Sequence, residues 1–355
     1  MASKDQSSIS TKTVTIEDVA RLAGTALSTA SLALNGKARV APETREAVMK
    51  AAQQLGYEGN YYAQRLKGRC NNLISLLSID LDFGVGTFKL KSVQRLLAER
   101  GYDVPIHSYG SFGGGEVADQ VSLLRMMRRQ KPQAIVCDTE GLSLDAYREL
   151  ERFQAEGGHA VCFGYPDELL HPACDEVLFD TCDNTYQAAR HLVQLGHRNI
   201  GLYIPGARRN KEARVPGFYQ ALAEFGVEVR PEWLFLDSHK LYEEGGAWMA
   251  QRFIGLSQRP TAMCIVNDVA AAAFVNEVMR AGLKVPDDVS VVSHDDWPAA
   301  RYCIVPLSTA SHPLQAIADQ TVQFLLERLD NSYTGPPRRA VIQGELIVRE
   351  STRAL

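Results

Sequence analysis

Between Leu73 and Ser293, short apolar runs of strand length alternate with segments of helical period. This alternation limits the possible folds more than any other feature of the chain. A strand covered on both faces reads as a continuous apolar run, and the helix that covers it carries the chain back to start the next parallel strand. Leu73–Ile79 precedes Phe88–Arg100, and Ala134–Cys137 precedes Leu144–Glu156. Ala160–Phe163 leads to Asn184–Leu195, Ile200–Ile204 to Val215–Phe225, Met263–Val266 to Val269–Ala281, and Val289–Ser293 to a turn. The pattern predicts an α/β body of doubly wound parallel sheets. About 280 residues are too many for one such sheet, so two similar lobes are expected. They are drawn at 70–176 with 305–335, and 177–304 with 336–355. Ligands of open α/β sheets sit beyond the carboxyl ends of the strands, so two facing lobes make a cleft there.

The first 69 residues have a different texture. Residues 1–13 are polar and aperiodic, which predicts a disordered tail. Residues 14–58 read as three short helices. Thr15 is a candidate N-cap with Asp18 as a partial capping box, Ile16, Val19, Ala20 and Ala23 share one face, and Gly24 ends the first helix. The second runs from about Leu27 to Leu34, with Ala30 and Leu34 inward, and Asn35-Gly36 stops it. The third opens at Pro42, buries Val48, Ala51, Ala52 and Leu55, and closes at Gly56. Helix, glycine turn and helix are the parts of a helix-turn-helix, whose second helix lies in a DNA major groove. Residues 59–69 form a basic linker with weak helical character.

Charge agrees with that division. The whole chain carries −4, which argues against a nucleic-acid binder, yet residues 1–69 hold ten Lys and Arg against six Asp and Glu. The remaining residues hold 28 against 36, so a basic head precedes an acidic body. The composition, 45% hydrophobic and 23% charged, is that of a chain able to bury a large core. No apolar run approaches the roughly 18 residues of a membrane span, and MASKDQSSIS has no apolar signal core. A cytoplasmic protein without membrane contact is therefore expected. The seven cysteines, scattered and without a C-x-x-C pair, read as free thiols. Gly84–Gly86 and Gly113–Gly115 lack the spacing of a phosphate loop. There is no Ser-His-Asp or metal-spaced cluster, so neither an enzyme, a cofactor nor a metal is expected.

Several runs carry a family resemblance. TIEDVARLAG (15–24), SLALNG (31–36), TREAVMKAAQQLGY (44–57) and the spacing of Asn60, Ala63 and Leu66 resemble the head and hinge of the lactose-repressor family of bacterial transcription regulators. Leu195-Gly196-His197-Arg198 before Ile200, Arg214-Val-Pro-Gly217-Phe218 with Ala221-Leu222, Asn267-Asp268, VPDDVSVVSHDD (285–296), Pro306–Thr309 and Glu350-Ser351-Thr352 resemble its body. The matches are thin between about 78 and 160. The resemblance implies a two-lobed body like a type I periplasmic binding protein. It also implies a homodimer on a palindromic double-stranded operator, expected to act as a repressor and controlled by a sugar-like or other small-molecule effector in the cleft.

It implies residue roles as well. Leu27, Ser28 and Leu32 would face base edges, with Thr29 and Ser31 near phosphate. Thr15, Asn35, Asn60 and Ala63 complete the DNA set, and Leu66 on a hinge helix would wedge into the minor groove. Arg214, Asn267, Asp295 and Tyr165 would hold effector. Arg214 equally suits a surface ion pair, Asn267 a helix N-cap and Asp295 a turn cap. The chain departs from the family at Ala26, where serine is usual, leaving Ser28 to cap a helix shortened by two residues. It departs also at Leu32, where arginine is usual, at Gly59, and at Gly164, where many members carry a polyol-binding aspartate. The alternatives are a two-lobed receptor without DNA function, which the head argues against, and a DNA regulator that has lost its effector response.

Overall fold

The computed structural model describes residues 14–34, 40–57, 71–78, 85–110, 119–139, 142–164, 173–206, 208–238 and 240–355. The chain divides into Met1–Asn71 and Asn72–Leu355. The expected tail at 1–13 and hinge at 59–69 lie outside the described residues.

In the head, α1 (Ile16–Leu22) opens on a complete capping box. Thr15 N and Oγ1 donate to Asp18 Oδ2 at 3.0 and 2.7 Å, and Asp18 N donates back to Thr15 Oγ1 at 3.4 Å. Gly24, at φ +63°, takes the left-handed turn that lets Thr25 N reach Ala20 O at 3.0 Å. Helix α2 spans Leu27–Leu34, and its first turn is closed by Ala30 N donating to Ala26 O at 2.9 Å. The shortened helix capped by Ser28 is therefore incorrect: the backbone starts the helix at Leu27 without a capping side chain. Helix α3 (Pro42–Leu55) follows. Val19, Ala20, Ala30, Ala33, Val40, Val48, Ala51 and Ala52 form the head's core. Leu34 and Leu55, expected inward, are half-buried at its margin.

The body holds two sheets of six strands each. The first is built from β1 (Ile74–Ser78), β2 (Ile106–Ser108), β3 (Ala134–Asp138), β4 (His159–Gly164), β5 (Asp175–Phe179) and β11 (Arg339–Ile342), in the order β11-β5-β4-β3-β1-β2, all parallel. Helices α4 (Val85–Ala98), α5 (Gln120–Arg129), α6 (Leu144–Ala155) and α12 (Leu314–Leu329) belong to this lobe. The second sheet takes β6 (Ile200–Tyr203), β7 (Leu234–Phe235), β8 (Ala262–Ile265), β9 (Ser290–Asp295), β10 (Ser308–Ser311) and β12 (Leu346–Ile347), ordered β12-β10-β9-β8-β6-β7. Only the β10–β12 pair is antiparallel among these. Its helices are α7 (Thr181–Gln194), α8 (Arg208–Glu224), α9 (Tyr242–Ile254), α10 (Asp268–Arg280) and α11 (Pro298–Tyr302). Both sheets repeat one strand order, as a duplicated doubly wound unit requires.

The lobe boundaries differ from those drawn on the sequence. The chain crosses near 180, 312 and 343, so β10 belongs to the second lobe and β11 to the first. Charge hid the pairing. Strand β5 begins Asp-Glu, and both carboxylates are neutralised by arginines from the C-terminal segment. Asp175 meets Arg328 and Arg338, each at 2.8 Å, and Glu176 meets Arg339 at 2.7 Å.

Two glycines set helix spacing. A Cβ on Gly217 would lie 2.0 Å from Cys182 O, between α8 and α7, and one on Gly246 would lie 2.1 Å from Ala270 O, between α9 and α10. The obstacles are backbone oxygens, which cannot rotate away. Gly246→Ala should therefore cost about 1–3 kcal/mol of overpacking strain, read as a lower urea midpoint at unchanged slope. An unchanged midpoint would show that α9 and α10 can separate freely.

Candidate functional sites in the head and the cleft

On α2 the buried Ala30 and Ala33 face the core. Ser28, Ser31 and Leu32, spaced i, i+3, i+4, share the opposite side. Leu27 and Ser28 are exposed, while Thr29, Ser31 and Leu32 are half-buried, and Leu32 also rests against the head's core. Thr15 is exposed at the start of α1, its side chain engaged in the capping box. A helix with an outward row of small hydroxyls and a leucine can approach base edges closely, with Leu32 offering contact to a thymine methyl. Asn35, Asn60, Ala63 and Leu66 lie outside the described residues.

In the body the strand ends collect polar groups. Arg214 comes from α8 and is buried, although the sequence allowed a surface ion pair. Asn267, at the end of β8, caps α10, its Oδ1 accepting from Ala270 N at 2.8 Å. Asp295 ends β9 in a left-handed conformation, φ +104°, followed by Asp296 at +54°. Its Oδ1 lies 3.8 Å from His312 Nδ1. Arg214 and Asp295 both act electrostatically on His294 and His312, which places them around the same pair of imidazoles. Tyr165 lies outside the described residues.

Sequence reasoning missed much of this ring. His294 and His312 are buried, and His294 Nε2 and both ring nitrogens of His312 have no hydrogen-bond partner among the described residues. Burial, reinforced by Arg214, pushes His294 down to about 4. Burial also takes His312 to about 4, with Asp295 partly offsetting Lys89 and Arg214. The His312 ring lies on Phe179, centroids 3.8 Å apart. On the first lobe Lys89 is buried, Nζ 3.9 Å from Asp138 Oδ2 and 5.2 Å above the Phe163 ring. Phe88 meets Trp297 edge-on at 5.6 Å, joining the two lobes. The one sequence signal for the histidines was their position, immediately before Asp295-Asp296 and immediately after β10.

Asp268 holds this region together. Its carboxylate accepts from Ser293 Oγ, from Thr309 Oγ1 at 2.9 Å and from Trp297 N at 2.6 Å. Burial, and then the nearby Asp295, raise it to about 8. Gly164 also gains a reason. A Cβ there would lie 2.1 Å from Thr139 Oγ1, so Thr139 occupies the space an aspartate at 164 would need. Among the described residues no cluster of His, Cys, Asp or Glu is placed to hold a metal ion, and no helix is long and apolar enough to cross a membrane.

Comparison with known proteins agrees with both halves. Residues 15–60 match the model for bacterial regulatory proteins of the lacI family, and residues 189–352 match a periplasmic-binding-protein-like domain. A transcriptional regulator of Streptomyces lividans, reg1, is 31% identical over 349 residues, covering 96% of this chain and 97% of its own length. The chain belongs to the lacI family. It is a DNA-binding transcription regulator, and its relatives are regulators rather than enzymes. They include DegA of Bacillus subtilis, 28% identical with 96% and 98% of the two chains covered, and the ribose operon repressor of Haemophilus influenzae, 29% identical with 96% and 99% covered. The fold is that of the lac repressor dimer bound to operator, TM-score 0.81 at 23% identity, covering 97% of this chain and all of that one.

The buried groups give a pH profile with a definite sign. Unfolded histidine takes a proton near 6.5, whereas His294 and His312 resist until about 4, so stability falls as pH drops from 6.5 toward 4. Asp268 acts oppositely. The unfolded carboxyl loses its proton near 3.8 and the folded one keeps it to about 8, so stability falls as pH rises through that interval. Two imidazoles against one carboxyl place the combined optimum near pH 6.5. Asp268→Asn should flatten the decline between pH 6.5 and 8 in urea melts of the full chain. An identical decline in both proteins would mean that Asp268 is ionised in the fold.

Proposed function

We propose that this regulator is a cytoplasmic repressor that acts by binding rather than turnover. A homodimer reads a palindromic operator through paired heads, and a polar small-molecule effector in the cleft controls it. The observation that carries the effector reading is the group of Arg214, Asp295, His294 and His312, where imidazole nitrogens are buried without partners among the described residues. Burying such groups unpaired costs about 1–3 kcal/mol each. A bound molecule with hydroxyl or carbonyl groups offsets that cost. The names of family members point the same way: ribose for one relative, cellobiose for a solved regulator complex.

The dimer reading rests on α11 and the turn after it. Tyr302 is 85% exposed and Ile304 69% exposed, side by side beyond the aspartate pair. A second copy is the natural cover, because two-fold symmetry matches a palindrome and presents the same patch from both sides. Ile304→Asp should shift sedimentation from dimer to monomer and weaken operator binding together. Dimers of unchanged stability would remove this face from the interface.

The head and cleft separate in two further measurements. A randomised duplex selection should return a palindrome, and Ser28→Ala should alter the preferred bases without changing the salt slope. For the cleft, Arg214→Ala should cost at least tenfold in effector affinity, since a charged hydrogen bond is worth about 1.5–3 kcal/mol. Effector-free operator affinity should be retained. A thermal-shift screen of sugars, sugar acids and nucleobases supplies the ligand. If every hit stabilises the Arg214→Ala protein as well as the wild type, the effector site lies elsewhere.

A further inference from the structure

Helices α5 and α6 carry a cluster that neither the head nor the cleft uses. Arg125, Arg128, Arg129 and Arg152, with Glu149 and Glu156, line a groove of about 450 Å³. Glu149 is 2% exposed and anchors three guanidinium groups. Its Oε1 accepts from Arg125 Nε at 3.1 Å and from Arg152 Nη1 at 2.6 Å, and its Oε2 from Arg128 Nη1 at 2.6 Å. Arg128 also pairs with Glu156. Arg129 makes no side-chain bond among the described residues. Tying α5 to α6 needs one arginine. Four leave an excess of two positive charges on a body whose sequence is otherwise acidic. Like charges held together repel unless an anion joins them. Because Glu149 fixes three of them in place, little side-chain entropy remains to be lost when that anion binds.

Position in the fold selects the anion. Helix α5 ends at Arg129 and α6 at Ala155, each just before its strand begins, so the basic ends of both lie at the amino ends of β3 and β4. Gln133 N donates to Leu73 O at 2.8 Å, and His159 N donates to Gln133 O at 3.1 Å. Leu73 is where the chain arriving from the DNA-binding head enters the body. The groove thus lies by the amino ends of β3 and β4, the end of the sheet at which Leu73 begins the body, and the head that precedes it in the chain binds duplex DNA, a polyanion. We propose that this groove is a second DNA contact, sequence-independent, which takes the phosphate backbone of duplex flanking the operator. This rests on the head's DNA binding but not on the effector or the bases that the head reads.

The test uses the full chain and two duplexes. One ends at the selected operator, and the other holds the same operator within long random flanks. Arg125→Gln/Arg129→Gln leaves Arg128 and Arg152 on Glu149, so the helices stay tied. Arg129→Gln alone is the second variant, because it breaks no internal bond. The wild type should bind the long duplex more tightly, with a steeper dependence on salt. The double variant should bind both lengths with the short-duplex affinity, its long-duplex slope shallower by about one to two, since each lost phosphate contact removes about 0.9. Arg129→Gln should fall between. Equal behaviour of variant and wild type on the long duplex overturns the proposal, as does an equal loss on both lengths. So does a polyglutamate peptide that binds the wild-type groove while flank length has no effect, since it assigns the groove to an acidic protein partner. A wild type that shows no preference for the selected site counts against the head instead, and the flank effect is then read on random duplex.

Discussion

The carboxyl group of Asp268 is the constraint on which the cleft depends. Three donors converge on it from three segments: Ser293 near the end of β9, Thr309 in β10 and the backbone of Trp297 in the turn between them. That turn is costly by itself. Asp295 at φ +104° and Asp296 at +54° stand in a region L-residues avoid, at about 1–3 kcal/mol each. The cost is offset locally. Asp296 is held by Arg301 at 2.7 Å and Arg349 at 2.5 Å, and Asp295 O accepts from His312 N at 3.2 Å. Asp268 adds the bond to the Trp297 backbone that joins this turn to the end of β9 and to β10.

The same neighbourhood contains the covalent links between lobes. Phe179 ends β5 before the first crossing, His312 sits on the second, and Gly344 lies at the third. Asn184 Nδ2 donates to Ser311 O at 3.1 Å, and a Cβ on Gly344 would meet that same oxygen at 2.0 Å. The second and third crossings therefore lie against one another, with Asn184 between them and no room for a side chain at position 344. A ligand that draws Arg214 and Asp295 toward first-lobe groups such as Lys89 acts on a junction where displacement of one strand is felt by the other two. Ligand binding in the cleft and the relative position of the two lobes can be coupled through this junction, reciprocally as linkage demands.

Much of this was legible in the sequence, for stated reasons. Strands buried on both faces, such as β1, β3, β4 and β8, are unbroken apolar runs and were seen. Strands at the crossings were not. β5 starts with two carboxylates whose partners lie about 160 residues away, β10 reads Ser-Thr-Ala-Ser rather than an apolar run, and β12 has two residues. Helix α9 was hidden by Gly245-Gly246, which serve close packing rather than chain reversal, and α8 runs through Pro216 where a start was expected nearby. Of the candidate effector residues, Arg214, Asn267 and Asp295 were named from the family resemblance; Asn267 and Asp295 lie at the ends of β8 and β9, and Arg214 lies on α8. His312 and Lys89 carry no local signature, and His294 only its place before Asp295-Asp296. Their character comes from burial, which only the assembled sheets create.

The head follows from the smallness of its core. Of the eight buried core side chains among its described residues five are alanines, and each buries too little apolar area to contribute much. Caps therefore supply a large share of what keeps three short helices in place. The Thr15–Asp18 box satisfies orphan donors at the start of α1, and left-handed glycines at 24 and 56 close two C-termini without strain. Small side chains also set the spacing of the helices. They let α2 and α3 lie close together, so a compact module presents Ser28, Ser31 and Leu32 outward with little bulk around them. A core of leucines would gain stability and push the helices apart. The module then forgoes some intrinsic stability, and binding to DNA restores it by mass action, so that folding of the head and occupation of its site favour each other.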